Sequence, residues 1–459
     1  MSTFTAVFDS QKTLFASDVT RTYEWRFDQL DRMEKLIVEN ESALRSAIAA
    51  DFKTASQEYI FETGATLGEA QYQKSQLKQW MEPTQAPVPT FLAQSGHTAV
   101  VHRDPYGVAL IIAPFNGPLL LVLRPALTAL AAGNTCILKL SEQLPNTSTL
   151  LMDLIPRYFD SSAVAAVRGN REQVTELLAL PFDFIFFTGS TKVGKIVMRA
   201  AAEHLTPVVL ELGGQNPVLV DETADIRDAA KKIVWGATAW GGQWCTSPGY
   251  AYVQESVAEQ FVAEARKALV ELYGESPKTN PDYSRVINAR EVSRLAALID
   301  PSKVVAGGNS DPAEHYIDPT LLYPVTWNDP IMEEEVFGPI LPILTYKTFD
   351  EALACIKAKP DPLAAYIFSR DQKRIDDFLG RLSFGGGAVN QVNVHLFVES
   401  MPFGGTGASG VGHYYGKYGF DMLTHAKSIL VAPSGVTIDH LLPPYSDEKN
   451  SQLGKWFEY

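Results

Sequence analysis

The sequence predicts an α/β fold: a doubly wound, Rossmann-like parallel-sheet domain followed by a second α/β domain. Three observations carry this expectation. Over roughly residues 100–212, short and fully apolar runs alternate with helical stretches, the signature of a parallel sheet covered on both faces. A second alternating unit follows it. The chain has 459 residues, 46% hydrophobic and 20% charged, enough apolar surface for about three structural units and too much for a disordered chain.

The elements follow in order. Residues 24–50 carry helical spacing, with Phe27, Leu30, Met33, Ile37 and Leu44 at three- and four-residue steps or multiples of them. A second, long and polar helix is expected over 59–80. Pro83, Pro87 and Pro89 end helix, and 99–103 alternates like a strand. The run 108–113 is continuously apolar, and a helix over 121–132 stops at Gly133. Strand patterns follow at 136–140, 182–187 and 208–212, with helices at 147–155 and 193–204. In the second unit, Ser256 with Glu259 forms a capping-box pattern for a helix ending near Gly274, and Thr348 with Glu351 forms another. Residues 304–307 and 340–346 read as strands. Glycine is dense over 385–416, where turns must be tight.

Composition excludes several functions. Thirty-nine basic against 53 acidic residues leave a net charge of -14, which repels nucleic acid and anionic membranes. Three cysteines form no disulfide framework, so the chain reads as cytoplasmic, with any special cysteine reactive rather than structural. Residues 1–11 lack a signal-peptide pattern, the apolar stretch 106–123 is interrupted by Pro114, Asn116 and Pro118, and the tail 446–459 is polar. The eight histidines show no metal-binding spacing, and no metal site is expected.

Two glycine motifs mislead. The glycines at 405, 407 and 410 fit a dinucleotide pattern, but no βαβ unit surrounds them, so a turn-rich loop is expected. The run from Gly189 to Lys195 follows an apolar strand and opens a helix, as a phosphate-binding loop does. Ile196 stands where a magnesium-binding Ser or Thr belongs, which disfavours a nucleoside triphosphatase and leaves a dinucleotide pyrophosphate. A lone cysteine is more often a small hydrophobe than a nucleophile, but Cys245 lies between glycines and Pro248, in a turn with free N–H groups. Cys136 and Cys355 fall within core patterns. Glu211 closes an apolar strand before Gly213 and Gly214, at the end that faces a ligand crevice unless it is merely a solvated strand end.

Seven segments then combine: Pro114 to Pro118 around Asn116, Leu138 to Glu142, Phe187 to Thr191, Leu210 to Gly214, Gly242 to Cys245, Glu335 to Pro339, and Pro402-Phe403 with the glycines after it. In this order they resemble the aldehyde dehydrogenase superfamily over roughly 20–430, and its class 3 branch in particular. The resemblance implies that Cys245 attacks the aldehyde as thiolate, that the Asn116 amide and the Cys245 N–H receive the oxyanion, and that Glu211 is the general base for deacylation to the acid. It places Gly189, Ser190, Val193 and Gly194 by a pyrophosphate, Lys139 and Glu142 near the adenosine ribose, and Glu335 and Phe337 at the nicotinamide half of NAD or NADP. It also implies a homodimer.

The chain departs from the family pattern at Leu140, Gly117 and Trp244, where Pro, a large aromatic and Thr are common. Trp235, Trp240, Asn393, Leu396 and Phe397 align with tunnel positions, though each also suits ordinary core packing. The expected substrate is a flat aromatic aldehyde stacked near Trp244, with Asn393 bonding a ring hydroxyl; medium- or long-chain aliphatic aldehydes are the alternative. The implied layout is a coenzyme domain (1–80 and 100–209), a catalytic domain (210–390), a β-strand oligomerisation arm (81–99 and 391–432) and a tail (433–459). A phosphate-loop hydrolase and a catalytically silent binding protein remain as other readings, the second disfavoured by the presence of Cys245, Asn116, Glu211 and Glu335.

Overall fold

The structure is a computed structural model that describes residues 3–457; residues 1, 2, 458 and 459, at the ends of the expected first domain and tail, lie outside the described residues. Two large sheets dominate. The first has six strands in the order 410–411, 208–211, 184–188, 108–112, 135–139 and 164–167, parallel apart from the short Gly410–Val411 at one edge. Val108–Ile112, Thr135–Lys139 and Phe184–Thr188 are buried at every residue, which is why their sequences are continuous apolar runs. The strand order reverses between Val108–Ile112 and Phe184–Thr188, and such a switch point opens a crevice at the strands' C-terminal ends.

The second sheet has seven strands in the order 304–306, 320–322, 340–346, 248–254, 216–220, 364–368 and 386–389. Only its first pair is antiparallel. A third, antiparallel sheet joins Thr84–Ala86, Thr98–Pro105 and Thr424–Val431. Thr98–Pro105 therefore belongs with the arm strands rather than the coenzyme sheet, and the expected boundary at residue 100 cuts through it. The expected break at 209/210 likewise divides Val208–Glu211. Within 391–432 only the last strand joins the arm sheet; Gly416–Met422 packs on the first domain's helices.

Local chemistry explains where expected elements shift. The single helical pattern over 24–50 is two helices, Tyr23–Glu39 and Glu41–Asp51. Asn40 breaks them, its amide donating to the Leu36 carbonyl and the Tyr158 hydroxyl. The Thr348–Glu351 capping box forms, but the one expected at Ser256 does not. A 3-10 turn occupies Glu255–Val257, the helix Ala258–Tyr273 starts without a side-chain cap, and Glu259 accepts from the Tyr323 hydroxyl instead.

The polar helix Ser56–Met81 turns much of its polarity inward. Glu58, Glu62, Thr66, Glu69 and Gln73 are buried along it. Glu69 pairs with the buried guanidinium of Arg124 at 2.8 Å and accepts from the Gln73 amide and the Gly416 N–H. Removing one member of such a pair strands a charge. Glu69→Ala is expected to cost about 3–5 kcal/mol of unfolding free energy, read from denaturant midpoints. Adding Arg124→Met is expected to recover part of it. A Glu69→Ala midpoint equal to the parent's would refute a structural role for the pair.

Candidate active site

The site lies where the C-terminal end of the six-stranded sheet meets the N-terminal end of the seven-stranded one. Strand Val108–Ile112 runs out into the loop carrying Asn116 and Gly117, and Val208–Glu211 ends on Glu211. From the other side, Cys245 stands just before Pro248–Gln254. Asn216, the first residue of its own strand, holds the cysteine loop: its amide donates to the Cys245 and Ser247 carbonyls at 2.9 and 2.8 Å and accepts from the Ala364 N–H.

The backbone before Cys245 is tightly wound. Trp240, Gly241 and Gly242 are successive left-handed residues, with φ of 55°, 61° and 67°. A Cβ on Gly242 would lie 2.1 Å from the Gly338 carbonyl carbon, so this loop packs directly on the segment that follows Glu335 and Phe337. The Trp240 N–H donates to Glu58 at 2.7 Å, and Ser284 donates to the same carboxylate at 2.6 Å. Burial pushes the Glu58 carboxyl up to about 7, against the pull of Lys53. One turn along the helix, Glu62 is paired with the buried Lys53 and accepts the N–H groups of Leu119 and Leu120, just past Asn116. One helix thus braces both loops.

Asn116, Gly117, Trp240, Trp244, Cys245 and Leu396 share the wall of one space of about 30 Å³. Burial raises the Cys245 thiol well above its usual range, helped by the charges of Glu335 and Glu211, while the N–H groups of Cys245 and Thr246 pull the other way. Glu211 is 3% exposed, neither carboxylate oxygen has a hydrogen-bond partner, and burial lifts its pKa well above the usual carboxyl value. Burial pushes Glu335 up to about 8 against the Gly214 N–H that it accepts; its carboxylate lies against the Gly213 backbone, where a Cβ would be 1.9 Å from an oxygen. Phe337 adopts a positive φ of 46° and meets Phe115 edge to face at 5.9 Å.

Behind Trp240 and Trp244 lies a larger cavity of about 340 Å³, whose wall also includes Phe61, Trp235, Leu272 and Tyr273. Phe397 stacks on Phe61 at 4.8 Å and approaches Trp244 at 6.5 Å, so it supports that wall from outside either cavity. Asn393 is a correction. Its side chain is fully buried, donating to the Gly236 carbonyl and accepting from Tyr366, so its amide is not presented to a ring hydroxyl. Sequence reasoning missed Asn216, Glu58, Glu62 and Lys53. The Asn216-Pro217 pair after two glycines was a turn signal, but nothing local marked the other three.

The residues fit a dinucleotide. Helix Thr191–Ala202 starts at the switch point, capped by the Ser190 hydroxyl, with its first N–H groups facing the crevice end of Phe184–Thr188. Gly194 packs on Leu212, where a Cβ would come within 2.6 Å, and Gly189 packs on the Phe187 ring at the same distance. Val193 and Ile196 leave an exposed apolar shelf. Beyond the end of Thr135–Lys139, Lys139 pairs with Glu142, whose carboxylate is 60% exposed and free to accept. No group of His, Cys, Asp and Glu among the described residues has a metal-binding arrangement.

The model of the aldehyde dehydrogenase family matches residues 9–429. The chain belongs to the aldehyde dehydrogenase family. A 4,4'-diaponeurosporen-aldehyde dehydrogenase of Staphylococcus aureus is 42% identical, over 95% of this chain and 96% of its own. A dimeric, NADP-preferring aldehyde dehydrogenase of the dog is 39% identical, over 94% and 95%. The solved, substrate-bound Staphylococcus aureus AldH superposes with a TM-score of 0.97 at 41% identity, covering both chains completely. The chain is an NAD(P)-dependent aldehyde dehydrogenase, oxidising an aldehyde to its carboxylic acid through a cysteine thiohemiacetal and thioester. Its cofactor is NAD or NADP; solved relatives of the fold include both NAD-dependent and NADP-dependent enzymes.

Burial and the flanking carboxylates both raise the Cys245 thiol, which favours the protonated form in the absence of ligands. Alkylation of Cys245 by iodoacetamide is therefore expected to accelerate steadily from pH 7 to 9, because thiolate is the reacting form. Mass spectrometry of the modified peptide against time checks this, and a rate already constant below pH 7 would contradict it.

Proposed function

We propose that Cys245 is the nucleophile, with Asn116 and its own N–H as oxyanion donors and Glu211 as the deacylating base. The observation that carries this reading is the shared space before Cys245 and Asn116, together with a buried carboxylate that has no structural partner and acts electrostatically on that thiol. A carboxyl that stabilises nothing in the resting fold is kept for a reactant. The Cys245 thiol gives up its proton to water, the thiolate adds to the carbonyl carbon, and the Asn116 amide and the Cys245 N–H take the charge on oxygen. Bound NAD or NADP supplies the hydride acceptor. Water then attacks the thioester, its proton passes to Glu211, and the carbon–sulfur bond breaks to free the acid and restore the thiolate. Gly189, Ser190, Val193 and Gly194 would hold the pyrophosphate, Lys139 and Glu142 the adenosine ribose, and Glu335 and Phe337 the nicotinamide half.

The preferred aldehyde is flat and apolar, with an aromatic one favoured. The support is the cluster of Trp235, Trp240, Trp244 and Phe61 in the cavity wall, which offers ring faces and edges, beside the polar lining of Ser56, Gln57, Glu58 and Asp282. A second reading, an extended aliphatic or polyene aldehyde, is favoured by the 340 Å³ cavity and by the Staphylococcus aureus relative, named for its action on diaponeurosporen-aldehyde. The protein is read as a homodimer because Thr424–Val431 is an edge strand with seven of its eight residues exposed, including Ile429, Leu430 and Val431. A cytoplasmic location fits three unpaired cysteines. No described helix is long and apolar enough to cross a membrane.

Cys245→Ser is expected to abolish steady-state acid formation. Glu211→Gln is expected to slow it by about 100-fold or more while the first turnover of cofactor reduction persists. Stopped-flow absorbance of reduced nicotinamide separates the two phases; parental steady-state turnover in either variant would remove that residue's role. With the parent enzyme, kcat/KM for benzaldehyde is expected to exceed that for decanal. The reverse order would select the extended-chain reading.

A further inference from the structure

Tyr414 lines the space in front of Cys245, is 1% exposed, and its hydroxyl makes no hydrogen bond of good geometry, with only the Tyr415 phenol near enough to feel it as a donor. A buried phenol normally finds an acceptor, so a weakly engaged one facing a reaction space points to a group that arrives with the reaction. The ring is held on several sides. Tyr414 exchanges two backbone hydrogen bonds with Phe403, at 2.9 and 2.7 Å. Its ring meets Phe186 edge to face at 4.9 Å, Tyr415 at 4.5 Å and Phe403 at 5.7 Å.

Strand register places Tyr414 on the same side as Glu211. In the parallel pair of Phe184–Thr188 with Val208–Glu211, Phe186 is opposite Val209 and Thr188 opposite Glu211. Side chains alternate along a strand, so Val209 and Glu211 share a face, and Phe186 shares it with them. That is the face on which the Tyr414 ring rests. The chain reaches this position by pairing Gly410 with Glu211 and Val411 with Leu210, a few residues before Tyr414. Burial above all, and then the neighbouring Tyr415, Glu211 and Cys245, raise the Tyr414 phenol and keep it protonated, hence a donor.

We propose that the Tyr414 hydroxyl positions the deacylating water, donating to its oxygen while that water donates to Glu211. This rests on the reading of Glu211 as base. A weakly engaged donor and an unpartnered acceptor on the same face of the sheet are then shared by a single reactant. A space of about 30 Å³ admits a water, which needs roughly 10–15 Å³. The water keeps its second lone pair for the thioester carbon. Its oxygen bonds to that carbon, its proton moves to Glu211, and the carbon–sulfur bond breaks toward Cys245. The Tyr414 proton stays where it is.

Tyr414→Phe keeps the ring contacts and removes only the donor. The first turnover of cofactor reduction is expected to keep its rate and amplitude, while steady-state acid formation falls about 10- to 100-fold, the size of one hydrogen bond in a charged network. The acyl-enzyme, isolated by rapid desalting, is expected to release acid more slowly by the same factor and yet to be cleaved by hydroxylamine at the parent's rate. That last result would not come from a misfolded variant. An unchanged steady state, an equal fall in the first turnover, or a loss that appears in Thr188→Val instead would overturn the proposal. Glu211→Gln measured in parallel keeps the two ideas apart. If it turns over like the parent, the base assignment fails; if it slows and Tyr414→Phe does not, only the tyrosine's role fails.

Discussion

Carboxylates buried along one helix hold this active site in shape. Taking a charge out of water costs several kcal/mol unless partners surround it, so a buried carboxylate dictates the position of whatever satisfies it. Ser56–Met81 exploits this three times. Glu58 fixes the backbone at Trp240, Glu62 fixes Leu119 and Leu120 while paired with Lys53, and Glu69 fixes Arg124 and Gly416. The first two contacts reach the loops before Cys245 and after Asn116, and the third ties down a neighbouring helix and the start of Gly416–Met422. The loops have little regular structure of their own, and this helix gives them a common reference.

Around the nucleophile the electrostatics are spare. Glu211, Glu335 and the Cys245 thiol all shift toward their neutral forms because burial outweighs the few donors near them. Burial thus opposes the charged form of all three. The site becomes charged as reactants bring in donors and acceptors, a condition suited to a reaction in which negative charge appears first on sulfur and then on oxygen. The wide cavity and the narrow space at Cys245 share Trp240 and Trp244, so these two indoles stand between them.

Much of this was legible in the sequence, for physical reasons. Strands buried on both faces are continuous apolar runs, and 108–113, 136–140 and 182–187 were each found within a residue or two at their ends. Cys245 and Glu211 stood out because a thiol in a glycine-flanked turn and a carboxylate at a strand end break the local apolar pattern. What escaped were residues defined by distant partners. The polarity of 59–80 gave no sign of pointing inward, since Glu58 meets Trp240 across 182 positions. Asn393 followed the family's tunnel positions, but its amide is consumed by Tyr366 and Gly236, which no local pattern encodes. The strand at 99–103 was found and given to the wrong sheet, because its partners lie at Thr84–Ala86 and Thr424–Val431.

The contact between Gly242 and Gly338 has a mechanical meaning. With a hypothetical Cβ only 2.1 Å from the opposite carbonyl carbon, the two backbones leave no slack between them. The loop leading into Cys245 and the one following Glu335 and Phe337 are in effect a single mechanical part. A displacement of one loop would carry the other's backbone with it. A substitution that loosens either loop therefore alters both at once.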